Sequence, residues 1–282
     1  MAMEFTPPES IFRCMPTILP LPFRRLLNAF AYTIDGTQLA YSRLREAALG
    51  YELPLGSARS KIPRSIVRSR VGILTDAWAL IDQVSRARKI VSRFPWDHSK
   101  GPRELNQFIG DTKSATLVRN RLHQLDEDIH SRCECAEGHP TLGTVSWIDA
   151  RDPSSPVRFI IASGPGDPAV ETGGFAREAI GTGDVTDFQL RVCDQETDLE
   201  ALHQTMLRFA GQLERALATS VGELIAGESK RRDVSPEELC RSQIADTTLA
   251  VPFRTRTEVH HRWFEVSPDS FKSESNPVAV DG

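Results

Sequence analysis

Apolar residues recur at the three- and four-residue spacing of amphipathic helices over four long stretches of the chain. This spacing predicts helices over residues 23–49, 65–94, 103–131 and 197–225. Pro95 stops the second helix, because the residue before a proline disfavours the helical conformation. Thr197 and Glu200 have the spacing of a capping box, so Thr197 is the expected N-cap of the fourth helix. Gly36 weakens the middle of the first helix, since glycine costs about 1 kcal/mol there relative to alanine.

Between the third and fourth helices the pattern changes to that of β-strands. Residues 142–148, 157–163 and 188–193 are rich in β-branched and aromatic residues and are bounded by Gly, Pro and Asp. The first two segments are separated by residues 149–156, which suit a hairpin loop. The predicted fold class is therefore mainly α, a four-helix bundle with an inserted small antiparallel β-sheet at about residues 140–193.

The ends of the chain lack this periodicity. Residues 1–22 contain five prolines and are predicted to form an irregular N-terminal segment. Residues 23–226 hold the predicted bundle with its β-insert. Residues 227–282 are mostly polar, and we expect a largely flexible C-terminal tail there.

Composition narrows the class of protein. Hydrophobic residues make up 40% of the 282 residues, which is enough to bury a sizeable core. The formal net charge of −4 argues against a protein that coats nucleic acid. No apolar run reaches the roughly 20 residues of a membrane-spanning helix, and the N-terminus has no basic signal-peptide region. Five cysteines, an odd number, indicate reduced thiols, so we expect a cytoplasmic protein without a membrane partner.

Positive charge is concentrated in residues 57–93, where nine cations against two anions give a formal charge of +7. The first part of this window contains Arg59, Lys61, Arg64, Arg68 and Arg70. Cationic side chains at this density predict contacts with the phosphates of RNA. A solvated helix face that follows a basic linker gives the same pattern and is the more common case.

The third predicted helix carries a strip of polar residues beside its apolar face. Arg119, His123, Asp126 and His130 follow one another along this strip at spacings of three and four. A histidine can move a proton on or off a ribose or phosphate oxygen, and an arginine can stabilise the charge of a phosphodiester transition state. The same side chains can instead form ion pairs within one helix, each worth about 0.2–0.5 kcal/mol. The strip therefore predicts either an RNA-cleaving site or a salt-bridged helix flank.

This helix and the predicted bundle resemble HEPN-type proteins, small four-helix bundles of prokaryotic toxin and defence systems. The resemblance rests on Arg119 followed by Asn120, on the acidic pair after Leu125, and on the strand that follows the helix. It implies a homodimer, an RNA or antitoxin-like protein partner, and no cofactor. Active members of the family are metal-independent ribonucleases. The corresponding candidate catalytic residues here are Arg119, Asn120, His123 and Asp126.

The position of the histidine departs from the HEPN pattern. In active members four to six residues separate the arginine from the histidine, which corresponds here to Gln124, Leu125 or Asp126. His123 therefore lies one residue early. The primary hypothesis is a non-catalytic or weakly active binding module that acts as a homodimer or with a protein or RNA partner. The alternative is a metal-independent endoribonuclease of toxin or defence type.

Cys133, Cys135 and His139 place two thiols and an imidazole close together in sequence. These are ligands that zinc prefers. However, Cys-x-Cys is a less usual spacing than Cys-x-x-Cys, and a fourth ligand would have to come from His130 or Cys193. We therefore expect an exposed turn rather than a metal site, and a zinc-stabilised structural protein is a third alternative.

Overall fold

Six helices and four strands are present in the part of the chain that the structure, a computed structural model, describes. The described residues are 6–7, 10–14, 16, 18–51, 64–95, 103–123, 143–163 and 184–236. The helices are α1 (Ile11–Cys14), α2 (Leu21–Leu49), α3 (Arg64–Val91), α4 (Arg103–Asp111), α5 (Lys113–His123) and α6 (Leu199–Arg232). The strands are β1 (Thr144–Asp149), β2 (Val157–Ala162), β3 (Val185–Val192) and β4 (Gln195–Asp198). The coarser prediction, a mainly helical protein with a small antiparallel sheet, is confirmed.

The four strands form one antiparallel sheet in the order β2-β1-β3-β4. The first three match the predicted strands, and β4 adds a fourth. Alternation along the strands sends Val145, Trp147 and Ile161 to the face that packs on the helices, where all three are buried. Trp147 stacks on Phe159 with ring centroids 5.2 Å apart and meets the edge of Tyr51, the residue beyond the end of α2. The aromatic side chains thus join the sheet to the helices.

The four-helix bundle expected from the sequence is not confirmed, because α1 is an additional helix and the third predicted helix is broken. α4 ends at Asp111 and α5 begins at Lys113. At the break, Arg88 of α3 donates to the carbonyl oxygen of Thr112 at 3.0 Å and to the hydroxyl of Thr116 at 2.7 Å. The guanidinium thus gives a carbonyl at the end of α4 a partner from another helix. Its burial in this position lowers the pKa of Arg88.

Helix α6 begins later than its capping-box pattern predicts. Asp198 is the N-cap, and its carboxylate accepts a hydrogen bond from the Ala201 N–H at 2.8 Å. The prediction that Thr197 is the N-cap is wrong. Thr197 lies in β4, where its hydroxyl is 2.7 Å from that of Ser114 on α5. The pairing with α5 therefore takes the Thr197 side chain away from the helix.

The end of α6 also differs from the expected end near residue 225. The helix continues to Arg232, where Glu228 pairs with Arg231 at 2.6 Å and with Arg232 at 2.9 Å. Asp233 then adopts a left-handed conformation with φ of 54° and ends the helix. Ion pairs between two exposed arginines and a partly buried glutamate thus accompany a helical turn that buries little apolar surface.

The core consists of two hydrophobic clusters, and α2, α3 and α6 each contribute to both. The sheet-side cluster contains α2 from Ala40 onward, α3 as far as Val84, α5, the sheet and the start of α6. The distal cluster contains α1, α2 as far as Ile34, α3 from Ala87, α4, and α6 from Met206. Since α2 enters the distal cluster first and the other two enter it last, α2 runs antiparallel to α3 and α6.

A buried polar residue lies between the two clusters on each of these three helices. Thr37 on α2, Ser85 on α3 and His203 on α6 are 0%, 2% and 3% exposed. The Thr37 hydroxyl donates to its own helix, at the Thr33 carbonyl oxygen, at 2.7 Å. Within the described residues, neither the Ser85 hydroxyl nor the His203 Nδ1 has a hydrogen-bond partner.

Gly36 lowers the helix propensity of α2, but it also allows α3 to pack closely against this helix. A Cβ atom at this position would lie 2.8 Å from Cδ of Gln83, so the glycine leaves room for the α3 side chain. Further along the same pair of helices, Arg43 is 3.2 Å from the buried carboxylate of Asp76. Burial raises the pKa of Asp76, and the guanidinium partly opposes that change.

The described part of the N-terminal segment is fixed to α2 through Asp35. Arg13 pairs with this carboxylate, and the Thr6 N–H and hydroxyl both donate to its Oδ1 at 2.7 Å. Phe12 is 1% exposed and lies edge-on to Phe30, with centroids 5.4 Å apart. This part of the predicted irregular segment therefore belongs to the distal cluster.

Candidate functional site on helices α3 and α5

The arginine singled out by the sequence is bound to a carboxylate of another helix. Arg119 on α5 donates from Nε to Oδ1 of Asp82 on α3 at 2.8 Å. The other carboxylate oxygen of Asp82 accepts from Nε of Arg86 at 2.7 Å. The side chains of Arg119 and Asp82 are 22% and 30% exposed, so their contact is partly shielded from solvent. The structure thus places one carboxylate between two guanidinium groups across the α3–α5 interface.

The other candidate catalytic residues do not join this ion pair. Asn120 is exposed, and His123 is exposed at the last residue of α5. Among the described residues, His123 has no hydrogen bond and no ion pair. Asp126 and His130 lie outside the described residues, together with the rest of the predicted third helix. The predicted strip is therefore described only at Arg119, Asn120 and His123.

The candidate RNA-binding residues are described only in part. Arg68 is exposed in the second turn of α3. Arg70 is half-buried and donates from Nε to the Tyr51 hydroxyl at 3.1 Å. Arg64 is the first residue of α3, and its side chain, like Arg59 and Lys61 as a whole, lies outside the described part of the chain. Of the five, Arg68 is the described side chain that solvent reaches most freely.

A buried polar contact that the sequence analysis misses joins α2 to α6. The His203 ring stacks on Tyr41 with centroids 4.1 Å apart and an angle of 14° between the rings. Burial lowers the pKa of His203 to about 4. Burial and the neighbouring Glu200 carboxylate raise the pKa of Tyr41. Both rings are therefore neutral near pH 7. No sequence signal marks this site, because His203 continues the apolar stripe of α6.

A second polar group that the sequence analysis misses lies on the sheet face opposite the helices. Arg158 on β2 is 2.6 Å from the carboxylate of Asp187 on β3 and 3.3 Å from the hydroxyl of Ser146 on β1. Gln189 donates to the other oxygen of Asp187 at 2.6 Å. Asp187 has φ of 55° at a β-bulge opposite Trp147, a conformation that aspartate tolerates better than most residues. The group ties the outer strand β2 to β3 across β1.

An open cleft of about 260 Å³ lies between α4 and α6. Its lining combines apolar side chains with one acidic and one basic residue: Glu104, Leu105, Phe209, Gln212, Leu213, Arg215 and Ala216. None of the residues singled out by the sequence belongs to this lining. The cleft and the candidate site are therefore separate features.

The described ranges contain neither a cluster of metal-ligating side chains nor a helix that could span a membrane. Among them, no group of three or more His, Cys, Asp or Glu side chains is arranged to hold a metal ion. Cys133, Cys135 and His139 lie outside these ranges. In the described part of the chain, no helix is both long and apolar enough to cross a membrane.

Removal of the Arg119 guanidinium is expected to destabilise the fold. Arg119→Met keeps the apolar stem but removes a charge-assisted hydrogen bond, so the free energy of unfolding should fall by about 1–2 kcal/mol. The matched control is Arg121→Met, since Arg121 pairs with Asp194 at 3.3 Å in a more exposed position. The free energy of unfolding of Arg121→Met should fall by less than about 0.5 kcal/mol. Urea unfolding of both variants measures the difference, and equal losses would contradict a structural role specific to Arg119.

Comparison of the chain with protein-family models, with curated protein sequences and with solved structures finds no match. The likeness to HEPN-type proteins thus rests on the sequence alone.

Proposed function

We propose that this chain is a non-catalytic, HEPN-like binding module of the cytoplasm. The observation that carries the proposal is the ion pair between Arg119 and Asp82, with Nε and Oδ1 2.8 Å apart. A ribonuclease of this type needs its arginine to face the phosphate. In this chain, a carboxylate of the neighbouring helix already accepts a hydrogen bond from Nε of this guanidinium.

The ion pair opposes catalysis for an electrostatic reason. A phosphodiester transition state gathers negative charge, and Asp82 beside Arg119 both neutralises the cation and repels a phosphate. Arg86 on the same carboxylate holds Asp82 in place. A phosphate bound at the terminal nitrogens of Arg119 would lie beside the Asp82 carboxylate.

The histidine adds little catalytic support. A general acid or base is effective when a second group fixes its tautomer and orientation. His123 is exposed at the end of α5, and no described residue bonds to it. Since it also lies one residue early relative to the active family pattern, the exposed imidazole is better explained as a solvated surface residue.

A surface at the start of α3 supports a binding role. Val67 and Val71 are one helical turn apart and are 48% and 58% exposed. Arg68, which lies between them in sequence, is also exposed. The first turn of α3 contains no acidic residue, so the positive end of the helix dipole adds to the cationic side chains. Aliphatic side chains next to a cation suit an acidic, partly apolar protein segment. RNA bases, in contrast, prefer aromatic side chains. The proposed partner is therefore a protein, such as an antitoxin-like chain.

The test is a cleavage assay with a mixed RNA pool in EDTA. Wild-type protein, His123→Ala and Arg119→Ala are compared, with folding of each confirmed by circular dichroism. We expect all three to leave the RNA intact. Cleavage by the wild type that resists EDTA and disappears in both variants would establish the endoribonuclease alternative instead.

A further inference from the structure

The cleft between α4 and α6 lies beyond one end of the contact between these two helices. Asp111, the last residue of α4, is 3.5 Å from Arg208 of α6. One turn earlier along α4, the Phe108 ring stacks on Phe209 with centroids 4.2 Å apart. Residues 104 and 105 of α4 then line the cleft opposite residues 212–216 of α6. The two helices therefore run antiparallel, and the cleft opens where they no longer touch.

A second acid and base face this cleft without closing it. Glu104 lies seven residues before Asp111, and Arg215 lies seven residues after Arg208, a spacing of about two helical turns in each helix. Each is therefore on the same side of its helix as its counterpart at the closed end, and both line the cleft. Asp111 and Arg208 are paired. In the part of the chain that the structure describes, the side chains of Glu104 and Arg215 have neither an ion pair nor a hydrogen bond.

The floor between these two charges is apolar. Leu105, Phe209 and Leu213 line it and are 7%, 4% and 4% exposed. The volume of about 260 Å³ is below the roughly 300–1,000 Å³ of sites for drug-sized ligands, so a ligand of this cleft must be small. An apolar floor between an anion and a cation fits a small molecule that has an apolar part and both opposite charges.

We propose that the cleft binds a free α-amino acid with an apolar side chain. The carboxylate of the amino acid accepts hydrogen bonds from Arg215, whose planar guanidinium matches a carboxylate. The ammonium group donates to Glu104, and the apolar side chain lies against Phe209 and Leu213. This inference goes beyond the proposed function and does not depend on it.

The backbone of α6 leaves room for Arg215 beside the cleft. A Cβ atom at Gly211, one turn earlier, would lie 3.8 Å from Nη1 of Arg215. The guanidinium therefore lies along α6, over Gly211, in the direction of the Phe209 ring. This position brings the cation next to the apolar floor.

Ligands with a single charge fit the cleft less well than a zwitterion. A simple carboxylic acid bound to Arg215 would place its anion in the same cleft as Glu104 and leave that carboxylate without a partner. An amine bound to Glu104 would do the same to Arg215. An amino acid gives each of the two residues a partner of opposite charge, which is why the proposal commits to this class.

The test is isothermal titration calorimetry of the full chain with L-leucine and L-phenylalanine. Glycine is the probe without an apolar side chain and should bind at least about tenfold more weakly. Arg215→Met and Glu104→Gln should each weaken the binding of leucine by about tenfold or more, because each removes a charge-assisted hydrogen bond. Arg208→Met is the matched control and should bind as the wild type does, since Arg208 pairs with Asp111 outside the lining of the cleft.

Two analogues of leucine assign the two charges. L-Leucinamide lacks the carboxylate, and N-acetyl-L-leucine lacks the ammonium group, so both should bind the wild type more weakly than leucine. Arg215→Met should cause no further loss with leucinamide, and Glu104→Gln should cause none with N-acetyl-leucine, because the contact is already absent. A general distortion of the cleft would instead weaken every probe alike.

Several results would overturn the proposal. One is the absence of binding for both leucine and phenylalanine up to about 10 mM. Another is binding that Arg215→Met and Glu104→Gln leave unchanged, or that Arg208→Met weakens as much as they do, since the ligand then binds elsewhere. Equal binding of leucine and its two analogues to the wild type would also overturn it, without the use of any variant. None of these results depends on the RNA cleavage assay.

Discussion

The free energy of unfolding is expected to fall by about 3 kcal/mol as the pH is lowered from about 6.5 toward about 4, through His203 alone. Burial lowers the pKa of this imidazole to about 4 in the folded protein. An exposed histidine has a pKa of about 6.5, and each unit of difference corresponds to about 1.4 kcal/mol. Between these two values the unfolded chain binds more protons than the folded one, so stability decreases with falling pH. Below about 4 both states are protonated, and this contribution becomes constant.

The surroundings of His203 explain the resistance to protonation. The ring is 3% exposed and stacked on Tyr41, and no described residue bonds its Nδ1. The charged groups that influence the pKa of the neighbouring Tyr41 are Glu200, Arg45 on α2 and Asp198 at the start of α6. A proton on the imidazole would therefore create a buried charge between two apolar clusters.

Urea unfolding followed by circular dichroism at several pH values measures the effect. His203→Phe keeps the ring stack without a titratable group, so its stability should vary much less between pH 6.5 and 4. His123→Gln removes the exposed histidine of α5 and should follow the wild type. Parallel pH profiles for wild type and His203→Phe would show that other groups control acid stability.

The second large effect is expected for Gly143→Ala, which should lower the free energy of unfolding by about 3 kcal/mol or more. Gly143 has φ of +83°, which side-chain-bearing residues adopt only at a cost of about 1–2 kcal/mol. A Cβ atom there would lie 2.5 Å from the Arg191 carbonyl oxygen and 2.7 Å from Cγ2 of Val192. Because the first of these is backbone, β3 itself would have to move. The register between β1 and β3 should therefore loosen as well.

The matched control is Gly72→Ala in α3. No heavy atom lies within 4 Å of a Cβ placed at Gly72, so alanine should raise the free energy of unfolding by about 0.5–1 kcal/mol through helix propensity. Thermal and urea unfolding of both variants give the comparison. A large loss of stability in Gly143→Ala beside a small gain in Gly72→Ala would support the described backbone at the start of β1. A stable Gly143→Ala protein would contradict the described start of β1.

The spacing of apolar residues predicted the helices and strands well, because each element buries one of its faces and this alone sets the spacing. The long apolar stripe that begins at Leu74 is confirmed as α3 as far as Val91, and the alternating segments are confirmed as strands. The break at Thr112 was not predictable in this way. It accompanies hydrogen bonds from Arg88, a residue of a different helix, and no local pattern records that contact. The same limitation applies to Thr197, whose partner Ser114 lies on α5.

The candidate site shows this limitation more strongly. Helical spacing placed Arg119 at the edge of a buried face, and the side chain is indeed half-buried. Its partner Asp82 is 37 positions away in sequence, so spacing within one helix could not identify the ion pair. His203 was hidden within an apolar stripe, and Asp187 owes its conformation to a bulge that depends on strand pairing. The RNA-cleavage and ion-pair hypotheses therefore could not be separated from the sequence.

The division of the core into two clusters has a consequence for synthesis of the chain. Both clusters draw essential side chains from α6, such as Leu202 for the sheet-side cluster and Phe209 for the distal one. Neither cluster is complete until α6 has been translated as far as residue 225, which follows the end of α3 by on the order of 7–27 s at about 5–20 residues per second. During that interval the apolar faces of α2 and α3 lack the helix that completes their burial. A nascent chain of this protein should therefore depend on chaperone protection until α6 emerges from the ribosome.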